Sequence, residues 1–124
     1  MFPKFTKKRL ITEECEIFFV EKGKGIPVVL LHGFPQTHSM WADVAPLFSD
    51  TYHVICPDLR GYGQSSKPEG YENYTFRNMA NDVISILKYL NVEKKAHIIG
   101  HDRGARVAYR LAIDHPELVS SVMF

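Results

Sequence analysis

The sequence predicts an α/β fold, in which a mostly parallel β-sheet carries helices on both faces. Two observations support this prediction. Short apolar, β-branched stretches such as Pro27–Leu31 are typical of strands that are buried on both faces. They alternate with longer stretches of helical periodicity, of which Phe76–Leu90 is the clearest. Strands that alternate with helices form parallel sheets, because each crossover returns the chain to the same end of the sheet.

The first half of the chain holds three predicted strands and one predicted helix. Residues 16–20 form a strand that ends at the glycine-rich turn of residues 23–25. Pro27–Leu31 is the next strand. Residues 39–48 are predicted to be a single helix, because their apolar side chains recur on one face. Residues 52–56 then return to the sheet.

The second half begins with a long loop over residues 58–70, which contains three glycines and a proline. Thr75 is predicted to cap the helix over residues 76–90, because a threonine side chain accepts a hydrogen bond from the first turn. The remaining predicted elements are a strand at 96–99, a helix at 103–113 and a buried strand at 118–124.

Composition limits the classes of partner. The net charge of the 124-residue chain is +1, so neither a nucleic acid nor an anionic membrane surface is indicated as a partner. The densest basic run, Lys7–Arg9, is interpreted as a solvated edge. Cys15 and Cys56 are too few for a disulfide framework, and we expect both to be buried free thiols.

The N-terminal residues indicate neither a signal peptide nor an anchor. Met1–Arg9 is polar and basic, and no apolar segment of a signal peptide follows it. The longest apolar run, Ile26–Leu31, is too short to span a membrane. We therefore expect a cytoplasmic protein.

One motif indicates catalytic chemistry. Gly100-His101-Asp102-Arg103-Gly104 follows a predicted strand and opens a predicted helix, as a nucleophile elbow does, with aspartate in the place of the commoner serine. The flanking glycines have a steric reason, since a β-carbon at either place would meet neighbouring backbone. The alternative is an ordinary strand–helix turn with a capping aspartate.

A second loop follows the strand Pro27–Leu31 and has the sequence His32-Gly33-Phe34-Pro35. In a fold with a nucleophile elbow, this loop supplies one backbone N–H of the oxyanion hole. We expect the backbone N–H groups of Phe34 and Arg103 to be the two donors. Without the elbow, the loop would be equally well explained as a structural turn.

Three segments carry a further signal: residues 32–38 (HGFPQTH), residues 58–65 (DLRGYGQS) and residues 100–106 (GHDRGAR). Together they resemble the haloacetate dehalogenases of the α/β-hydrolase fold, and the resemblance runs from about Val28 to the end of the chain. The first two are shared with epoxide hydrolases. The third, with arginine at both 103 and 106, is the more specific.

The resemblance implies roles for three residues. Asp102 would displace halide from the α-carbon and form an ester, and Arg103 and Arg106 would bind the substrate carboxylate. The physical chemistry agrees, because a carboxylate attacks an sp³ carbon without a base and an arginine binds a carboxylate through paired donors. Arg103 and Arg106 are also three residues apart, on one helix face. We interpret Arg110, one turn later, as a surface or ion-pairing residue.

His38 is a further candidate for contact with the substrate, although a structural hydrogen bond explains it at least as well. No cofactor is expected. His97 and His101 straddle a strand end, so no metal site is expected there either. His53 and His115 are interpreted as surface or loop residues.

Other functions stay open at this point. An epoxide hydrolase shares the aspartate attack and the donor loop, but such enzymes usually carry an aromatic residue where Arg103 stands. Haloalkane dehalogenases typically have asparagine where Phe34 stands and tryptophan after the nucleophile. A hydrolase-fold binding module without turnover is the alternative from another class.

We expect the chain to be the N-terminal part of a single α/β-hydrolase core domain, with the cap domain and the C-terminal part outside residues 1–124. The chain ends within an apolar predicted strand. In this fold the catalytic histidine comes after the nucleophile and the acid in the sequence, and all six histidines precede the last predicted strand. Residues 1–124 alone are therefore not expected to complete turnover. A homodimer of the complete protein is left open.

Overall fold

Six strands form one mixed sheet in the computed structural model, which describes residues 2–124. The strands are β1 (Thr6–Ile11), β2 (Glu16–Lys22), β3 (Pro27–Leu31), β4 (His53–Pro57), β5 (Ala96–Gly100) and β6 (Val119–Met123). Their order across the sheet is β1-β2-β4-β3-β5-β6. The first two pairings in this order are antiparallel and the other three are parallel, so the mostly parallel sheet is confirmed.

Helices cover both faces of this sheet. The α-helices are α1 (Ala45–Phe48), α2 (Phe76–Tyr89) and α3 (Arg103–Asp114), and shorter 3₁₀ turns lie at His38–Trp41, Tyr71–Tyr74 and Pro116–Leu118. On one face, alternate strand residues such as Phe19 and Leu31 pack against α2 and α3. On the other face, residues such as Phe18 and Leu30 pack with Trp41 and α1. None of the helices within residues 2–124 is both long enough and apolar enough to cross a membrane.

The single helix predicted over residues 39–48 is wrong. The chain forms a 3₁₀ turn at His38–Trp41, and α1 begins only at Ala45. Thr37 starts the 3₁₀ turn, since its side chain accepts a hydrogen bond from the backbone N–H of Ser39 at 3.2 Å. Pro46 lies in the first turn of α1, where its missing N–H costs no hydrogen bond, but it could not lie inside a longer helix.

Both edges of the sheet differ from the prediction. The run Lys7–Arg9 lies within β1, which was not predicted as a strand because its charged side chains interrupt the alternation of apolar and polar residues. At the other edge, β6 was expected to be buried, but Met123 is 63% exposed and Phe124 is 70% exposed. Within the described chain, β6 pairs only with β5, which leaves its outer side open.

Cys56 is a buried free thiol, as predicted, and burial raises its pKa. Cys15 is only partly buried and lies in the connection between β1 and β2, outside any strand. Its pKa is raised, mainly by burial and also by the nearby carboxylate of Asp82.

The predicted cap of α2 is confirmed, and it leads to a stability prediction. The Thr75 side chain accepts a hydrogen bond from the backbone N–H of Asn78 at 3.1 Å. Replacing Thr75 with alanine should lower the free energy of unfolding by about 1 kcal/mol, because the first turn of α2 loses this acceptor. Urea denaturation of the full-length protein measures the change. The control is Thr51→Ala, at an exposed position before β4. Equal effects of the two substitutions would contradict the capping role.

Candidate active site

The predicted elbow and the predicted donor loop meet because β3 and β5 are neighbouring parallel strands. Leu31, the last residue of β3, lies in register with Gly100, the last residue of β5. The backbone N–H of His101 donates to the Leu31 carbonyl at 3.0 Å, so the pairing extends into the turn. The loop after β3 and the elbow after β5 therefore leave the sheet side by side, at the carboxyl end of the strands where parallel sheets hold their sites.

Asp102 has the backbone conformation of a strained elbow. Its φ of 56° and ψ of −116° lie in a region that L-residues seldom adopt. The flanking glycines are required sterically: a β-carbon on Gly100 would lie 2.4 Å from the Gly104 carbonyl oxygen, and one on Gly104 would lie 2.2 Å from that of Leu31. A β-carbon on Gly33 would lie 2.4 Å from the Asp102 β-carbon, so the two loops are in close contact.

One of the two backbone groups expected to form the oxyanion hole donates to the Asp102 carboxylate. The N–H of Phe34 reaches Oδ2 at 2.9 Å. The backbone N–H groups, first that of Phe34 and then that of Arg103, hold the pKa of Asp102 below its ordinary value. The side chain is exposed, and its other oxygen, Oδ1, has no hydrogen bond to the described residues.

The lowered pKa gives a prediction for the pH dependence of a first chemical step in which Asp102 is the nucleophile. In such a step only the ionised carboxylate can attack, so its reaction rate falls when Asp102 is protonated. Because backbone donors stabilise the ionised form, the rate of ester formation should stay constant from neutral pH to below the ordinary aspartate pKa of about 3.9. Rapid-quench measurement of the enzyme ester against pH tests this. A rate already halved at pH 5 would contradict it.

Asp102 lies in an open cavity of about 350 Å³. The cavity is lined by Phe34, Phe76, Asp102, Arg103 and Arg106. Four of these residues were predicted from the sequence as site residues, whereas Phe76 was placed only in the helical stretch Phe76–Leu90. Its place in the apolar stripe of α2 concealed its role, because the first residue of a helix can pack against the core and still reach the end of the sheet.

The two arginines beside Asp102 differ from every other arginine in the chain. Arg9, Arg60, Arg77 and Arg110 each lie within 4.0 Å of a carboxylate oxygen. Within residues 2–124, neither Arg103 nor Arg106 has such a partner. Their guanidinium groups lie over aromatic rings instead, Arg103 at 5.8 Å from the Phe34 centroid and Arg106 at 5.9 Å from that of Phe76. Both charges are thus available to an anion that enters the cavity.

His38 makes a structural hydrogen bond. Its Nδ1 and its backbone N both lie within 2.8 Å of Asp58 Oδ1, and the Asp58 side chain is fully buried. Burial alone would raise the pKa of Asp58, but the hydrogen bonds from His38 and Gln64 lower it overall. His38 is not among the residues that line the cavity at Asp102. Its suggested contact with substrate stays a prediction.

Four of the other five histidines also have hydrogen-bond partners other than Asp102. His53 was interpreted as a surface or loop residue, but it lies half-buried at the start of β4 and contacts Glu21 at 2.7 Å. The partners of the remaining three are Gly33 and Leu59 for His32, Ser121 for His97 and Glu117 for His115. The expectation that residues 1–124 do not complete turnover stays a prediction. Within the described residues, no group of three or more His, Cys, Asp or Glu side chains forms a possible metal site.

The strand order, the elbow and the donor loop together define the class of protein. Residues 26–124 match the α/β-hydrolase fold family, and the chain belongs to that family.

Two relatives of known name are similar to this chain within the family. A fluoroacetate dehalogenase from Burkholderia sp is 46% identical over an alignment of 125 positions, which covers 98% of this chain and 41% of that protein. A soluble epoxide hydrolase from Corynebacterium sp. (strain C12) is 38% identical over 120 residues, which are 96% of this chain and 41% of that protein. The chain therefore spans about 41% of the length of these relatives.

Solved structures agree with this membership. A Nostoc sp PCC 7120 protein of the α/β-hydrolase type superposes with a TM-score of 0.94 at 45% identity, over 98% of this chain and 43% of its own. The epoxide hydrolase CorEH superposes with a TM-score of 0.89 at 37% identity, over 96% of this chain and 41% of its own. The α/β-hydrolase fold predicted from the sequence is confirmed.

Proposed function

We propose that the full-length protein is a hydrolase that cleaves the carbon–halogen bond of short 2-halo carboxylic acids. The observation that supports this most is the pair of arginines beside Asp102, which have no carboxylate partner within residues 2–124. A nucleophilic carboxylate and an anionic substrate repel each other, and two free guanidinium groups offset that repulsion.

The first step forms an ester. With Oδ2 held by the N–H of Phe34, Oδ1 of Asp102 attacks the α-carbon from the side opposite the halogen. The new carbon–oxygen bond forms as the carbon–halogen bond breaks, and the halogen leaves as halide with the bonding electrons. Arg103 and Arg106 hold the substrate carboxylate, which fixes the α-carbon in front of Oδ1.

The second step cleaves the ester at the aspartyl carbonyl carbon. Water, activated by a base of the full-length protein, adds to that carbon and converts Oδ2 into an oxyanion. The backbone N–H of Phe34 already donates to Oδ2, so it need not move to stabilise the developing charge, and the N–H of Arg103 supplies the second donor. Collapse releases a 2-hydroxy acid and restores Asp102. No cofactor or metal takes part in this proposed reaction.

An epoxide hydrolase is the second candidate, because the relatives include both kinds of enzyme. Attack by Asp102 and the two backbone donors would serve either reaction. An epoxide is uncharged, however, and gives no reason for two unpaired guanidinium groups in the cavity. We therefore favour the halo acid.

A substrate panel tests the proposal. The purified full-length protein is offered fluoroacetate, chloroacetate, 2-chloropropionate, chloroacetamide and styrene oxide under the same conditions. We expect turnover of the charged halo acids with at least tenfold higher kcat/KM than that of the uncharged substrates, a ratio that one charged hydrogen-bonded contact of about 1.5–3 kcal/mol supplies. Faster turnover of the epoxide would replace this function with the second candidate, and no turnover of any substrate would favour a binding module.

A further inference from the structure

Phe76 lines two neighbouring cavities. It lines the cavity of about 350 Å³ that holds Asp102, and it also lines a neighbouring open cavity of about 420 Å³. Arg106 is the other residue that lines both. The other residues that line the larger cavity are Ala105, Tyr109, Arg110 and Phe124. The Phe76–Arg106 contact is therefore common to both cavities and forms the wall that they share.

The body of the protein holds Phe76 in this position. Phe76 is the first residue of α2, directly after the Thr75 cap, and its half-buried side chain packs against the hydrophobic core between the sheet and α2. Its neighbours Met79 and Ala80 are fully buried. A ring anchored on such a core has few rotamers available, so its exposed face points in a defined direction.

The Phe76 ring restrains the Arg106 guanidinium, which makes no side-chain hydrogen bond within residues 2–124. Its guanidinium carbon lies 5.9 Å from the Phe76 centroid, within the range of a cation–π contact. No ion pair with a described carboxylate restrains it. A long side chain without such a restraint samples many rotamers in water, and each one away from the cavity lowers the affinity for an anion.

We propose that Phe76 is a positioning residue that holds the Arg106 guanidinium toward the substrate carboxylate and, as the wall, restricts the substrate to a short 2-substituent. This inference rests on the proposed function, because Arg106 must bind a carboxylate. The inference goes beyond the proposed function by assigning the choice between short and long halo acids to one aromatic side chain on α2.

Three substitutions separate the positioning role from simple packing. Phe76→Leu keeps an apolar side chain but removes the π face, whereas Phe76→Tyr keeps the ring. In the full-length protein, Phe76→Leu should raise KM for chloroacetate about three- to tenfold, as expected for the loss of one cation–π contact, and should leave kcat within about twofold. Phe76→Tyr should match the wild type. The control is Tyr109→Leu, in the larger cavity only, which should leave both constants unchanged.

Two further measurements distinguish the positioning role of Phe76 from a role in packing alone. Chloroacetamide lacks the carboxylate, so Phe76→Leu should leave its kcat/KM unchanged. Phe76→Ala joins the two cavities, so the ratio of kcat/KM for 2-chlorobutyrate to that for chloroacetate should rise at least fivefold. Where Phe76→Ala fails to fold, the leucine and tyrosine variants still decide the positioning role.

The outcomes distinguish this inference from the proposed function. Loss of chloroacetate turnover in Arg106→Ala together with wild-type KM in Phe76→Leu would overturn the inference and leave the function standing. Equal losses on chloroacetate and chloroacetamide in Phe76→Leu would also overturn it, since they indicate a packing defect. A wild-type protein that turns over only epoxides would overturn the function itself and the inference with it.

Discussion

Replacing Asp102 with asparagine is expected to abolish halide release, by about 10⁴-fold or more, as loss of a catalytic nucleophile does. An amide oxygen is a far weaker nucleophile than a carboxylate, so the ester does not form. Asparagine has nearly the same shape and tolerates positive φ as well as aspartate does, so the elbow should be kept. Halide release by the full-length protein measures the effect.

Asp114→Asn is the matched control for this substitution. Asp114 is the last residue of α3 and pairs with Arg77 and Arg110, at the opposite end of the helix from Asp102. Its replacement removes the same charge from the same helix, and halide release should stay within about twofold of the wild type, since exposed ion pairs contribute little.

Mass spectrometry identifies the nucleophile directly. After chloroacetate is added and the reaction is quenched with acid, the peptide that contains Asp102 should gain the mass of one carboxymethyl group. The adduct should be missing from Asp102→Asn. An adduct on another carboxylate, or a fully active asparagine variant, would reject the assignment.

The elbow could be predicted because its requirements are local. A strand, a tight turn with two glycines and a helix follow one another within a few residues, and each leaves a sequence signal. The meeting of the elbow with the donor loop is not local, but it follows from topology, because β3 and β5 are neighbours in a parallel sheet. The candidate site could therefore be inferred from two segments about seventy residues apart.

The rest of the fold depends on competition between local interactions, and no periodic pattern in the sequence reveals which of them prevails. Residues 39–48 have helical periodicity, yet Pro46 and the Thr37 cap divide them into two short pieces. β1 carries so much charge that it resembles a loop, but as an edge strand it can direct those side chains to solvent.

Two side chains in and near the site show the same difficulty. His38 is held by Asp58, twenty residues away, and only the three-dimensional structure reveals this contact. Phe76 has the spacing of a core residue and is in fact partly that, since one side of the ring packs on the core and the other lines the cavity.

Arg106→Ala should lower kcat/KM for chloroacetate about 10- to 100-fold and leave chloroacetamide nearly unaffected. The reason is that a hydrogen bond to a charged group is worth about 1.5–3 kcal/mol, and only chloroacetate carries the charge that Arg106 would bind. Arg106→Lys should fall between alanine and the wild type, because lysine keeps the charge but loses the paired donors.

Arg110→Ala is the control for this prediction, because it removes the same kind of side chain one turn further along α3. Arg110 already pairs with Asp114 at 3.4 Å and does not line the cavity that holds Asp102. Its loss should change kcat/KM for either substrate by less than about twofold. If Arg106→Ala impaired chloroacetate and chloroacetamide equally, or if Arg110→Ala matched its effect on chloroacetate, Arg106 would not be the group that recognises the carboxylate. If Arg106→Ala instead lowered kcat/KM for chloroacetate alone, the unpaired guanidinium beside Asp102 would be the group that selects the substrate.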